Sequence, residues 1–339
     1  MNLEEKFKLI KRNTVEIITE EELKKLLKEK KKPSVYLGTA ITGKPHLAYF
    51  AWIIKLADFL KAGFKVKILL ADIHGALDNT PWDILEERYK YYELAIKDML
   101  STVGMETKNV EIIKGSSFQL KKEYILDLLK LSSLVSVHDS RKAASDVVKN
   151  NEGEQAKLSG LIYPLMQALD EEFLNVDIQY GGIDQRKIFV FARENLPKIG
   201  YKPRIEVMTP LIQGLTEGGK MSASILKSKV DLTDSDEEIK DKIKSAYCLE
   251  GDRNNGILDF INFVIMAVKE DKKEKFIVKR EKKFGGDISY KNYNEIEKDF
   301  VDKNLHPQDL KNTVAEEIIK LLNNVDKKKL LKIGEGAYS

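Results

Sequence analysis

The chain has 339 residues, 42% hydrophobic and 33% charged, a composition that reads as a soluble globular protein with one large domain and a smaller one. Lys and Arg number 57 against 54 Asp and Glu, a net charge of +3, so a polyanionic partner has to be met by local basic clusters rather than a global positive field. The single cysteine, Cys248, excludes an intrachain disulfide, no Cys/His spacing resembles a zinc site, and no apolar run approaches the roughly 20 residues of a membrane span; with no apolar signal core after Met1, these features point to the cytoplasm.

In chain order, an amphipathic charged opening that includes Glu21 to Lys31 predicts a helix, and Ser34 to Gly38 a short strand entering a loop. His46 to Ala62 has helical spacing. Lys67 to Ala71 reads as a second buried strand, followed after Asp72 to Gly75 by a long helix from about Trp82 to Leu100. Val110 to Ile113 is a third strand. Helices are expected over Lys121 to Leu131 and Leu161 to Phe173, a strand over Val176 to Tyr180 and a helix over Asp184 to Glu194. Strands alternating with helices of this length predict an α/β fold, a Rossmann-like doubly wound, mostly parallel sheet with ligands beyond the C-terminal strand ends. From Ser235 onward the texture changes to Lys/Glu-rich amphipathic helix, with a strand-like interlude near Phe276 to Val278. This predicts two domains, residues 1–228 and a mainly helical 229–339.

The helix Leu161 to Phe173 carries the most informative pattern. Tyr163, Gln167 and Asp170 fall at i, i+4 and i+7 and share one face, while Leu165, Leu169 and Phe173 form a separate apolar stripe that can anchor the helix. A polar face inside an apolar segment suggests a pocket. Closed to water, Asp170 is tolerable only where a hydroxyl or ammonium arrives to satisfy it, which suggests a small polar aromatic ligand.

Three further segments suggest phosphate chemistry. Tyr36 to Tyr49 holds Gly38 and Gly43 between a strand and a helix, where backbone can approach a phosphate and His46 can donate to a phosphoryl oxygen; the sequence lacks the ending of a P-loop and the three-glycine dinucleotide fingerprint. The glycine-rich Gly214 to Ser222 leads into Lys220-Met221-Ser222-Ala223-Ser224, an ammonium and two hydroxyls on a loop that can close over a triphosphate. Gly181 and Gly182 precede Asp184, a carboxylate placed at a strand end to accept from ribose hydroxyls. Each has a plain structural reading as well: a helix-entry residue, a surface linker and a helix cap.

Together these segments resemble the class I aminoacyl-tRNA synthetases, in particular the tyrosyl-specific family of archaea and the eukaryotic cytosol. Pro45-His46-Leu47-Ala48-Tyr49 resembles the nucleotide signature, with Tyr49 in place of its final histidine. Lys220 to Ser224 resembles the lysine-methionine-serine signature, with Ala223 where lysine or serine is usual. Leu69 to His74, Asp184 to Lys187, Lys283 to Gly286 and His306 to Asn312 extend the likeness over nearly the whole chain.

The resemblance implies roles. Tyr36 and Asp170 would bind the phenol oxygen of L-tyrosine, one donating and one accepting; Tyr163, Gln167 and Gln185 would hold its ammonium and carboxylate, and Leu69 and His74 would line the pocket. Gly38, Thr39, His46, Ala48, Gly182, Asp184 and Met221 would contact ATP, with His46, Lys220, Ser222 and Ser224 catalytic and Mg²⁺ on the phosphates with no evident protein ligand. Arg186 and Lys187 would approach the acceptor stem of tRNA(Tyr), and Phe284, His306 and Asp309 its anticodon. A homodimer is implied, with Trp52 near its face. A tryptophanyl enzyme, a small-molecule nucleotidyltransferase and a catalytically inactive RNA-binding relative are the competing readings.

Overall fold

A computed structural model describes residues 1–148, 156–223 and 225–338. Its centre is a six-stranded sheet. The strands are β1 (Glu16–Ile18), β2 (Ser34–Ala40), β3 (Lys65–Ala71), β4 (Val110–Lys114), β5 (Ile178–Gly182) and β6 (Ile205–Thr209), in the order β1-β6-β5-β2-β3-β4. All pairs are parallel except β1 with β6.

Val35 to Leu37 and Leu69 to Ala71 are buried without alternation, the pattern of strands covered on both faces by helices. The chain runs outward from β2 through β3 to β4, then returns to β5 on the other side of β2 and proceeds to β6. The order therefore reverses between β2 and β5, and the crevice beyond their C-terminal ends is where such a sheet receives a ligand.

Helices sit where the 3.6-residue spacing put them, at Glu20–Glu29, Tyr49–Lys61, Leu85–Thr102, Lys122–Ser132, Ser159–Phe173 and Arg186–Asn195. Several boundaries differ. The helix expected from His46 starts at Tyr49, because residues 46 and 47 are held to another segment: His46 pairs with Asp231 in a β-bridge and the Leu47 amide donates to the Val230 carbonyl at 3.0 Å. Asp72 to Gly75, between the expected strand and long helix, starts a short helix of its own, Asp72–Leu77. Strands β1 and β6 and the helix Val137–Ala144 are additional; β6 escapes a hydropathy reading because the fully buried Glu206 interrupts its apolar run.

Beyond residue 234 the chain is helical apart from a hairpin of β7 (Phe276–Val278) and β8 (Ile288–Tyr290). Ser235 opens the helix Asp236–Ser245 with a reciprocal capping box to Glu238. The last helix, Lys327–Ala337, returns to the first part of the chain: Arg88 donates to the Ala337 carbonyl, and the Tyr338 hydroxyl donates to the Gly43 carbonyl at 3.1 Å.

Candidate active site

A cavity of about 360 Å³ opens at the C-terminal ends of β2 and β5. Its inner end is polar in an apolar shell. Tyr36 comes from β2, Leu69 from β3, and Tyr163, Gln167 and Asp170 from the Ser159–Phe173 helix, whose opposite stripe is pinned by Leu165 and Leu169, 4% and 0% exposed. The three residues at i, i+4 and i+7 thus share one cavity. Gln167 donates to Gln185 Oε1 at 3.0 Å, which joins two of the expected contacts.

Asp170 is 1% exposed and is held by side chains that the sequence did not single out. Gln119 Nε2 donates to both of its oxygens, at 2.9 and 3.1 Å, and the Tyr124 hydroxyl lies 2.9 Å from Oδ1. Burial pushes the Asp170 carboxyl up to about 8, while these hydrogen bonds pull it back. Tyr124 also lies 2.8 Å from the Met166 carbonyl. With one proton for two acceptors, Tyr124 can serve both groups only when Asp170 is itself protonated and donates to it.

His74 stands beside this pair. Its ring packs edge-on against Tyr163, with centroids 4.6 Å apart, and Nδ1 lies 3.3 Å from Gln119 Nε2. Burial drives its pKa down to about 4, so the 3.9 Å approach of Nε2 to Asp170 is not an ion pair. This histidine sits on the Asp72–Leu77 helix, three residues past the end of β3, and its Nε2 has no partner among the described residues.

The outer end of the cavity gathers the glycines and the signature residues. Gly38, Thr39, His46 and Ala48 line one side, and Gly182, Asp184, Lys220 and Met221 the other. A Cβ on Gly182 would lie 2.7 Å from Asp184 Oδ1 and 2.8 Å from Leu211 Cδ2, so a side chain there would push both away from the cleft. His46 is 6% exposed, and burial with the neighbouring Lys229 lowers its pKa to about 4, partly offset by Asp231. It is therefore a neutral imidazole near pH 7, and its Nδ1 has no partner among the described residues. Lys220 Nζ reaches across the mouth to Asp184 Oδ2 at 2.7 Å, an exposed pair that an arriving polyphosphate can compete with.

Ser222 follows Lys220 but does not line the cavity, and Ser224 lies outside the described residues. Gly43 has a geometric reason to lack a side chain, since a Cβ built on it would stand 2.4 Å from the Ala223 Cβ. The two signature loops therefore touch. Tyr92 and Tyr338 both donate to the Gly43 carbonyl and hold that contact from below.

Arg186 and Lys187 begin the helix next to Gln185 but face outward, paired with Glu16 (2.6 Å) and Asp146 (2.7 Å). The distal residues form a separate group. Phe284 is 59% exposed on a turn at Lys282–Phe284, and Arg280 ties this hairpin through the Gly286 carbonyl (3.0 Å) to the Asn304 carbonyl, two residues before His306. His306 caps the helix Pro307–Leu322, its Nδ1 accepting from the Gln308 amide at 3.1 Å, and Asp309 sits in the first turn. Trp52 lines the cleft against Tyr49, with ring centroids 5.4 Å apart, and not an outer face. Among the described residues no three His, Cys, Asp or Glu side chains converge as a metal cage.

Sequence reasoning missed Gln119, Tyr124 and Gln179. Tyr124 lies in a stretch whose spacing reads as ordinary helix and Gln119 just ahead of it, in the short helix Ser116–Gln119, and only the tertiary fold turns them onto Asp170.

The family model described as tRNA synthetases class I (W and Y) matches residues 28–323. A protein of Danio rerio named tyrosine–tRNA ligase, cytoplasmic, is 48% identical over 99% of this chain, which spans 63% of that protein's length. A tyrosine–tRNA ligase of Haloarcula marismortui is 43% identical, covering 96% of this chain and 94% of its own. The crystal structure of Archaeoglobus fulgidus tyrosyl-tRNA synthetase complexed with L-tyrosine superposes with a TM-score of 0.88 at 38% identity, over 97% of this chain and 100% of that one.

Proposed function

The chain belongs to the class I tRNA synthetases of the tryptophan and tyrosine type, and from that premise we propose that it is a tyrosine–tRNA ligase acting in the cytoplasm. The observation that carries the reading is the pairing of Tyr36 and Asp170 at the closed end of a cleft whose open end holds His46 and Lys220. A phenol hydroxyl needs one donor and one acceptor, and this pair offers both. Indole offers only a donor, which would leave a buried polar group unused and argues against tryptophan.

In the first step an oxygen of the tyrosine α-carboxylate attacks the α-phosphorus of ATP, and the bond to the bridging oxygen of the β-phosphate breaks to release pyrophosphate. Gln167, Gln185 and Tyr163 orient the ammonium and carboxylate. Gly38 and Gly182 let the nucleotide lie against backbone, with Thr39, Ala48 and Met221 around it and Asp184 accepting from the ribose. His46, neutral and with a ring nitrogen that has no partner among the described residues, donates to a phosphoryl oxygen, and Lys220 leaves Asp184 to balance charge on the departing pyrophosphate. Any Mg²⁺ would come with the triphosphate and would shield its charge; among the described residues no three carboxylate or imidazole groups converge to hold it. In the second step the terminal ribose hydroxyl of tRNA attacks the tyrosyl carbonyl carbon and AMP leaves.

We assign the acceptor stem to Arg186 and Lys187 and the anticodon to Phe284, His306 and Asp309, within a domain that begins near residue 229. The exposed ring of Phe284, with Lys283 Nζ 4.9 Å from its centroid, suits stacking on a flipped base. A homodimer is supported by the exposed apolar side chains Leu126 and Leu129, 50% and 61% exposed and one turn apart on the Lys122–Ser132 helix.

Charging of tRNA with labelled amino acid tests the reading. Incorporation of tyrosine that requires ATP is expected. Binding of tRNA with no incorporation would identify an inactive relative, and incorporation of tryptophan would overturn the assignment of the pocket.

A further inference from the structure

Behind the phenol end of the cleft lies a second row of polar groups that the proposed function has not used. Across the sheet Tyr36 of β2 is in register with Gln179 of β5, and Gln179 with Glu206 of β6. Directly paired residues on adjacent parallel strands point to the same face, so the three side chains form one row beneath the Ser159–Phe173 helix. Gln179 is 2% exposed and Glu206 is fully buried, as is Glu171, the residue after Asp170 on that helix.

The hydrogen bonding along this row has a direction. Gln179 Nε2 donates to the Tyr36 hydroxyl oxygen at 2.7 Å. A phenol hydroxyl has one proton to give, and the protein acceptor near it, the Gln167 carbonyl, is a long 3.4 Å away. The remaining direction for that proton is the cavity. At the other end of the amide, Gln179 Oε1 and both oxygens of Glu206 and of Glu171 have no hydrogen-bond partner among the described residues.

We propose that Gln179 is a positioning residue for hydroxyl selection: by filling an acceptor site on Tyr36 it commits the Tyr36 proton to the phenol oxygen of the substrate. The inference rests on the reading of the cleft as a tyrosine site. Were the amide reversed, Oε1 would accept from Tyr36 and withdraw that proton from the ligand, while Nε2 would turn toward Glu206. Glu206 decides between the two states. Its burial, with the nearby Glu171 carboxyl, raises its pKa well above the ordinary range, and Arg193 and Arg204 only partly oppose this. A protonated Glu206 has a proton to offer the unpartnered Oε1 of its register neighbour Gln179, which would keep Nε2 on Tyr36. An anionic Glu206 would favour the reversed amide.

The test compares pyrophosphate exchange with tyrosine and with phenylalanine in the full chain and in Gln179→Met, which keeps length and volume without a donor. The substitution is expected to raise KM for tyrosine about tenfold, the weight of one neutral hydrogen bond, leaving kcat and the phenylalanine KM within about twofold. Gln179→Asn, which keeps an amide but withdraws it from Tyr36, should give the same split and serves if the methionine variant does not fold. In a Tyr36→Phe background Gln179→Met should add no further loss for tyrosine, because Gln179 acts through that hydroxyl. Equal losses for both amino acids, an unchanged ratio, or additive losses in the double variant would each overturn the proposal. Wild-type chain that activates no tyrosine would instead overturn the underlying reading.

Discussion

Replacing Asp170 by Asn changes one atom at the point where the account places the substrate hydroxyl. The variant should fold, because its neighbours can adapt. Gln119 Oε1 has no partner and can turn toward the new amide, and His74, whose Nε2 is also unpartnered, can move its proton to Nδ1 to meet the reversed Gln119. What is lost is a carboxylate acceptor for the phenol. A hydrogen bond to a charged group contributes about 1.5–3 kcal/mol and a neutral one about 0.5–1.5, a difference of about 1–1.5 kcal/mol, so above pH 8, where Asp170 is ionised, kcat/KM for tyrosine should fall by about five- to tenfold, with phenylalanine changed by less than about threefold.

Because burial holds Asp170 near 8, its ionised fraction grows as pH rises, and the phenol gains the stronger acceptor. The tyrosine-to-phenylalanine ratio of kcat/KM should therefore increase between pH 6.5 and 8.5 in the wild type and stay flat in Asp170→Asn. The α-amino group is common to both substrates and cancels in the ratio. Pyrophosphate exchange with each amino acid across that range is the assay. A ratio that is unchanged by the substitution, or that falls with pH in the wild type, would refute the placement of Asp170 at the phenol.

Three other outcomes follow from the geometry. His46→Ala should lower kcat for exchange by about 10²–10³ with tyrosine KM unchanged, and the wild-type profile should show no histidine inflection between pH 6 and 7, since burial puts that ring at about 4; an inflection there that the substitution removes would contradict the neutral donor. Gly43→Ala forces a Cβ to within 2.4 Å of Ala223, so exchange should slow about tenfold with tyrosine affinity retained, and adding Ala223→Gly should restore it; no rescue would separate the two loops. Because His306 caps its helix, His306→Ala would combine loss of a base contact with loss of about 1 kcal/mol of cap. His306→Asn keeps a cap and should reduce tRNA charging with unaltered adenylate formation and melting temperature; equal loss in both assays would indicate damage to the fold.

The parts legible in the sequence are those written in local spacing. Tyr163, Gln167 and Asp170 could be assigned to one helical face from their intervals alone, and the buried runs of β2 and β3 announced a parallel sheet. Elements whose identity comes from distant partners were not legible. Strand β1 is three residues long and exists because β6 pairs with it, and β6 carries a charge that hydropathy counts against burial. The Val137–Ala144 helix has a mean composition closer to a loop than to a core helix.

The same division runs through the site. Substrate-facing groups on one helix were visible as an interruption of apolar spacing, whereas Gln119, Tyr124 and Gln179 reach Tyr36 and Asp170 across 46 to 143 residues of chain. Only the fold brings them together. The start of the helix at Tyr49 was misplaced for a like reason: a long-range bridge to Asp231 holds His46 out of the helix that its neighbours would extend.

The central claim is that this cleft joins an amino acid bearing a phenol to a nucleotide. Amino-acid-dependent exchange of labelled pyrophosphate into ATP, run with each of the twenty amino acids in turn, tests it most directly. The account predicts exchange with tyrosine alone; exchange supported by another amino acid, or by none, would contradict it.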